Sequence, residues 1–366
     1  MIEYFFPENT YTQELGNALS EYMDVTIACK KRVELPHDNV HWKGLVYEGY
    51  HSRLTAPFLY GLSLLQLAHE IRSGHYDVVN IQYMRDPKYE IPFFRALKKH
   101  CGIMVNTIHT ILPHEATQKD VALHQQLYDM CDLQIVHNTP CKRQVEADYH
   151  VPAEKICVIP HGVYTRDCAP PTSSGEKSGR TEFLLFGQMR KYKGIDIMLR
   201  ALALLPPEAR AKLHVTVAGP QYTKIDDTDY EGMARALGME DCVSFIRRHI
   251  PPEEHPALFA KADICVFPYK ELYGSGALLM AYTYEKPVIV SEDPIFREET
   301  DDGQTGLLFE KNDPQALADA LVKALSWGEE DHAAYRTHIR RMIREKYSWD
   351  RAARILKAAF EEALKR

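Results

Sequence analysis

The chain has 366 residues, 45% of them apolar and 26% charged, ordinary globular values that exclude disorder, collagen and coiled coil as its dominant state. With 44 basic and 51 acidic residues its net charge is −7, and no block of five like charges occurs, which argues against bulk nucleic-acid binding. At about 150 residues per domain, two large domains are the first expectation.

In chain order, short β-branched runs alternate with helical periodicity. Strands are expected at 25–28, 78–83, 103–108, 133–136 and 157–159, each apolar on both faces as in a covered parallel sheet. Helices are expected between them at 12–22, 58–71, 91–100, 119–130 and 140–147; the first carries Leu15, Ala18, Leu19 and Tyr22 as one apolar stripe. The segment 167–182 gathers Pro, Gly, Ser and charge without periodicity and reads as a linker. Alternation restarts with strands at 183–186, 213–218, 243–245, 264–267 and 288–291. Helices are placed from Gly194, near 231–237, from Glu253 and after Gly276, and then at 314–325, 331–345 and 349–364. Two β-α blocks joined by a linker predict two doubly wound parallel sheets, with ligands outside the carboxyl ends of the strands, in the cleft between domains.

Eight cysteines without a C-x2-C pair form neither a disulfide framework nor a zinc spacing, and Cys265 reads as a small buried hydrophobe. The start M-I-E-Y-F-F-P lacks the regions of a signal peptide. The most apolar helix candidate is interrupted by Gly61, Ser63, Gln66 and His69, short of the ~20 residues of a membrane span. A reduced, cytoplasmic protein is expected, with membrane contact at most peripheral at the inner face.

Two clusters carry chemistry. In F-G-Q-M-R-K-Y-K-G-I-D (186–196), a strand ends, Gly187 opens a loop, and Arg190, Lys191 and Lys193 precede a helix, a placement suited to a diphosphate. In A-D-I-C-V-F-P-Y-K-E-L-Y-G-S-G-A (262–277), a strand leads to a loop bearing Glu271 and then to a Gly274-Ser275-Gly276 helix start whose backbone amides suit a phosphate. A solvated basic loop and an ordinary flexible helix entry are the plainer readings of each taken alone.

Together with I-P-H-G-V (159–163), K-P-V-I-V-S (286–291) and D-G-Q-T-G-L-L-F (302–309), these runs resemble glycosyltransferase family 4. The likeness is in register from about 156 to 325, and N-T-I-H-T-I-L-P-H-E (106–115) and I-V-H-N (135–138) extend it toward the amino terminus. The resemblance implies a GT-B fold: an amino-terminal acceptor-binding Rossmann-like domain (1–165, rejoined by a helix at 349–366) and a nucleotide-sugar-binding domain (170–348) facing a central cleft. It implies a retaining hexosyltransferase working from a nucleotide-sugar donor, a UDP-sugar ahead of GDP-mannose, onto a glycan, lipid-linked or small-molecule acceptor. By the same likeness Arg190 and Lys193 would neutralise the diphosphate. Gly187, Gly274, Ser275, Gly276 and Ala277 would bring backbone to the phosphates. Glu271 would hold hydroxyls of the transferred sugar, and His109 would lie close to that sugar.

The chain departs from the family pattern in three places. The second glutamate of the E-x7-E motif is replaced by Leu279 or Met280, depending on register. Gln188 stands where an arginine usually follows Gly187, leaving Arg190 as the substitute. P-E-N-T-Y (7–11) replaces a glycine pair, so Asn9, Thr10 and Tyr11 are expected to shape the acceptor mouth. A non-catalytic GT-B subunit of a glycosyltransferase complex is the alternative that the missing glutamate keeps open. Neither His37 with His41 nor His109 with His114 has a third ligand, and Asp227 and Asp229 lie in a polar stretch, so no metal or other cofactor is expected. His161 reads as structural and Asp263 as a turn or cap residue.

Overall fold

A computed structural model describes residues 1–4, 10–29, 40–45, 55–112, 117–164 and 179–366. The chain divides into two compact units, one made of Met1–Gly162 with Lys346–Arg366, the other of Val163–Glu345.

The first unit contains β1 (Ile2–Tyr4), β2 (Thr26–Cys29), β3 (His41–Gly44), β4 (Val78–Ile81), β5 (Ile103–Thr107), β6 (Leu133–Val136) and β7 (Ile156–Val158). They form one sheet in the order β3-β2-β1-β4-β5-β6-β7, and every pairing is parallel. The crossovers carry α1 (Thr10–Ser20), α2 (Ala56–Ser73), α3 (Pro87–Leu97), α4 (Gln118–Met130) and α5 (Thr139–Tyr149). β4, β5 and β6 are buried along their whole length, as strands covered on both faces must be. Their few polar side chains pair across the sheet: Thr107 Oγ1 donates to Asn80 Oδ1 at 3.2 Å, and Asn106 Nδ2 to Gln134 Oε1 at 3.0 Å. Asp86 and Asn138 cap α3 and α5 by accepting from Lys88 N and Cys141 N, each cap followed within two residues by a proline.

The second unit contains β8 (Thr181–Phe186), β9 (Leu213–Ala218), β10 (Val243–Ile246), β11 (Ile264–Phe267), β12 (Val288–Ser291) and β13 (Gly306–Phe309). These pair in parallel in the order β10-β9-β8-β11-β12-β13. Its helices are α6 (Ile195–Leu204), α7 (Pro207–Arg210), α8 (Tyr230–Ala236), α9 (His255–Lys261), α10 (Gly276–Thr283), α11 (Pro294–Glu299), α12 (Pro314–Ala324) and α13 (Glu329–Glu345). The last helix, α14 (Trp349–Ala363), belongs to the first unit, where Trp349, Leu356 and Phe360 share a core with Tyr11, Leu15 and Leu19 of α1. Gly162 lies beneath the Trp349 ring, where a Cβ would overlap the indole.

Both sheets run 3-2-1-4-5-6 in their own strand order, the first with a seventh strand beyond the sixth, so each reverses direction between its first and fourth strands: β1 and β4 in one, β8 and β11 in the other. The strands expected at 133–136, 213–218, 264–267 and 288–291 form with those bounds. β1, β3, β13, α7 and α11 are additions to the sequence reading. The helix expected at 12–22 begins at Thr10, which places Thr10 and Tyr11 in its first turn rather than in a loop. Thr181 and Glu182, assigned to the linker, are already strand; residues 165–178 of that region, Asn9, His37 and His114 lie outside the described residues. Among the described residues no helix is long and apolar enough to cross a membrane. Cys265 is fully buried, and burial pushes its thiol up to about 12.

Candidate functional site

The switch point of the second sheet brings the two sequence clusters together. β8 ends at Phe186, and Gly187 turns the chain at φ +120°, with its N–H donating to the Ala218 carbonyl. A single helical turn at Lys191–Lys193 then leads to Gly194 at φ +69° and into α6. Only glycine fits at 194, because a Cβ there would run into the Pro268 carbonyl at the end of β11. This close approach fastens the basic loop to the β11 loop, and Lys270 N reinforces it by donating to Tyr192 O at 2.7 Å.

Lys193 is therefore folded back into the loop. Its ammonium donates to the Tyr269 hydroxyl and lies 3.9 Å from the Tyr269 ring centroid and 5.2 Å from that of Tyr192. Gly187 lies close to both Lys193 Nζ and Ala277 of α10. Burial, and next the charge of Arg190, push the Lys193 ammonium down to about 7. Arg190 caps the turn and holds its guanidinium 5.6 Å from the Tyr192 ring. A small pocket at this point is lined by Gly187, Gln188, Lys193 and Tyr269, among others.

α10 supplies the other wall. Ser275 is its N-cap, buried, with Oγ accepting from Leu278 N at 3.1 Å. Gly276 sits under the Tyr164 hydroxyl, where a Cβ would crowd it, and Gly274 lies beside Glu299 of α11. Glu271 is exposed on the same loop. Leu279 and Met280 are 3% and 8% exposed, so the helix turn where a second glutamate would stand is packed into the apolar interior. Asp227 pairs with Lys191 at 3.7 Å, and Asp229 caps α8 by accepting from Gly232 N at 2.8 Å. Asp263 accepts from Glu182 N at 2.9 Å, tying the start of β11 to β8.

In the first unit, the carboxyl ends of β4 to β7 hold an aromatic cluster. His109 stacks on Tyr83 at 4.4 Å between centroids and meets Tyr11 edge-on at 4.7 Å. Tyr11, 1% exposed, also contacts His137, His161 and Trp349, which explains why it cannot belong to an open loop. His109 Nε2 donates to Gln82 Oε1 at 2.9 Å, leaving Nδ1 as an acceptor. His137 Nδ1 donates to the Ile159 carbonyl at 3.1 Å, and its enclosed Nε2 has no hydrogen-bond partner among the described residues. His161 Nδ1 donates to the Gly162 carbonyl at 2.6 Å. Desolvation keeps all three neutral, and the nearness of a second imidazole adds to it at His109 and His161: His109 falls well below its ordinary value, His137 to about 4 and His161 to about 3.

Sequence reasoning singled out Lys193, Arg190, Gly187, the 274–277 turn and His109 but missed Tyr192, Tyr269, Gln82, Tyr83 and His137. The common signal is position, because these residues lie within a few places of a strand's carboxyl end.

The profile described as Glycosyltransferase Family 4 matches residues 9–167, and that described as Glycosyl transferases group 1 matches 171–341. The chain is 28% identical over 320 residues to the D-inositol 3-phosphate glycosyltransferase of Corynebacterium aurimucosum, covering 79% of this chain and 72% of that one. Against the D-inositol 3-phosphate glycosyltransferase of Corynebacterium kroppenstedtii it is 26% identical over 264 residues, covering 66% of this chain and 56% of that one. Among solved structures, the sucrose-phosphate synthase from Thermosynechococcus elongatus matches with a TM-score of 0.77 at 17% identity, over 100% of this chain and 99% of that one. HepE of Anabaena, solved in complex with UDP and glucose, matches with a TM-score of 0.76 at 14% identity over 99% of each chain. The fold is GT-B. The chain belongs to the family 4 glycosyltransferases, enzymes that take a sugar from a nucleotide-sugar donor.

Proposed function

We propose that this chain is a retaining hexosyltransferase whose second unit holds the donor and whose first unit receives the acceptor. The observation that carries the reading is the convergence of Lys193, the Gly187 loop and the start of α10 at one sheet's switch point. In it, Arg190, Lys193 and the backbone amides at 274–277 neutralise the diphosphate. The leaving phosphate accepts the acceptor hydroxyl's proton as the new glycosidic bond forms on the same face, and the cations stabilise the charge that grows on the departing diphosphate. Glu271 holds hydroxyls of the transferred sugar. His109, neutral and with Nδ1 available to accept, suits a hydroxyl rather than a phosphate.

A UDP-sugar is favoured over GDP-mannose. With Leu279 and Met280 apolar and buried, the ribose is held without a carboxylate from that turn. No metal is required, because two cations and a helix start already face the diphosphate; full activity in EDTA is expected, and loss restored by manganese would overturn that. The acceptor is a glycan, a lipid-linked sugar or a small molecule. The names of the relatives make a polyol phosphate one arm of the acceptor panel.

Thermal shift with UDP, GDP, ADP and their sugars tests the donor assignment, since a ligand at 100 times its Kd stabilises by ~2.7 kcal/mol. No shift with any of them would overturn it. Binding without turnover across the acceptor panel would favour the non-catalytic subunit instead.

A further inference from the structure

We propose that Tyr269 is a positioning residue for the donor site: its hydroxyl holds the Lys193 ammonium between the basic loop and the start of α10, so that donor binding draws in a proton. The proposal rests on the reading of this site as the diphosphate pocket and goes beyond it by assigning a residue and a linkage.

The geometry comes from three elements. Tyr269 follows β11 and is 3% exposed, its ring packed against Phe267 and Phe296 with centroids 5.7 and 5.5 Å away. Its carbonyl accepts from Ser291 Oγ at 2.8 Å, which fixes the backbone from the β12 side. Its hydroxyl accepts from Lys193 Nζ and lies near enough to the Ser275 hydroxyl to feel it. One phenol thus bonds the cation of one cluster and lies beside the helix cap of the other. Burial keeps this phenol protonated, so it serves Lys193 as a neutral acceptor that costs no added charge.

Among the described residues, these groups act on Lys193 and its acceptor. Arg190 and the Tyr192 ring face Lys193 from its own loop, Tyr269 from the end of β11, and Glu299 acts on Tyr269 from α11. The neighbouring lysines are engaged elsewhere, Lys191 with Asp227 and Lys270 with Asp196 at 2.8 Å. Burial and Arg190 hold the ammonium near half-charged at neutral pH. An arriving diphosphate reverses that balance, and above pH 7 it must recruit the missing proton. The Tyr269 hydrogen bond favours the charged form, so its loss moves Lys193 further down.

The test is calorimetric binding of UDP, GDP and ADP to the full chain and to Tyr269→Phe and Lys193→Ala between pH 5.5 and 9, in buffers of different ionisation enthalpy. The wild type is expected to take up close to one proton at pH 8; at pH 5.5 Lys193 takes up almost none, and the terminal phosphate of the nucleoside diphosphate, with its own pKa of about 6, gives a net release. Tyr269→Phe should bind about tenfold more weakly at pH 8, the effect of about one pKa unit, and nearly normally at pH 5.5. Site-specific 3-fluorotyrosine at 269, which weakens the acceptor with little change in shape, should shift the same limb less and stands in if Tyr269→Phe does not fold. No proton uptake by the wild type at pH 8, or equal weakening of the 269 variants at every pH, would overturn the proposal. Lys193→Ala binding as tightly as wild type, or no nucleotide binding at all, would instead overturn the diphosphate reading on which it rests.

Discussion

The two units share a strand order and a switch point, yet furnish them with opposite chemistry. The loops after β8 and β11 present cations, tyrosine faces and a glycine-rich helix start. The loops after β4, β5, β6 and β7 present an amide, a tyrosine and three imidazoles held neutral by burial. The difference teaches that the topology supplies only a place, while a few residues beyond each strand decide what that place can bind. A diphosphate calls for charge that can be desolvated, and hydroxyls call for neutral acceptors of fixed tautomer.

Five substitutions would break or sharpen this contrast. The largest effect is structural: Phe360→Ala removes a 1% exposed ring from the core shared by α14 and α1, at a cost of ~3–5 kcal/mol. Amide exchange should show protection lost across the first unit and retained in 181–345; uniform loss would mean that the units do not have separate cores. Next come Lys193→Ala and Arg190→Ala, each expected to lower transfer about a hundredfold at saturating donor, with circular dichroism unchanged. Near-normal rates in both would remove the charged half of the comparison.

The neutral half has a pH signature. His137 titrates near 4 in the folded chain and His161 near 3, below the ~6.5 of an unfolded histidine, so the unfolded state binds more protons between those values. Stability is therefore full above about pH 6.5 and falls as the pH drops toward 4, by roughly 2–3 kcal/mol per ring at pH 4.5. Denaturant unfolding at pH 7 and 4.5 should show this loss, and His137→Gln should reduce it; an identical loss in the variant would mean that the ring is not held neutral. The smallest effect is that of Glu271→Gln, about tenfold in turnover with nucleoside diphosphate affinity unchanged, because a group that holds the sugar is absent from the nucleotide's own contacts. Weaker UDP or GDP binding in that variant would place Glu271 on the ribose.

The fold was legible wherever burial left a short run rich in β-branched and apolar residues, as in 133–136, 213–218 and 264–267. β1 escaped because three residues carry too little pattern. β3 escaped because His41, Trp42, Lys43 and Gly44 form a largely exposed edge strand whose pairing, not its hydrophobicity, makes it a strand. α11 is six residues long and depends on its cap, Asp293 accepting from Ile295 N at 3.0 Å. In the site, charge was the readable signal, and Arg190 and Lys193 stood out between a strand and a helix. Tyr192 and Tyr269 did not, because what a tyrosine does depends on which ring or cation lies over it. Tyr11 was misplaced for a similar reason: an aromatic beside an irregular segment looks like a rim, and only the fold shows three histidines and an indole closing around it.

α14 also sets an order of assembly. The second unit is one uninterrupted stretch, Val163–Glu345, and has everything it needs once that stretch leaves the ribosome. The first unit is begun earlier but keeps its α1 face uncovered until Lys346–Arg366 emerges and Trp349 settles over Gly162. During synthesis the later half can therefore mature first, reversing the usual amino-to-carboxyl sequence of domain folding. Throughout that interval Leu15, Leu19 and Tyr11 stand open to chaperones, and a stop codon ahead of Phe360 would be felt at α1, more than three hundred residues away in sequence.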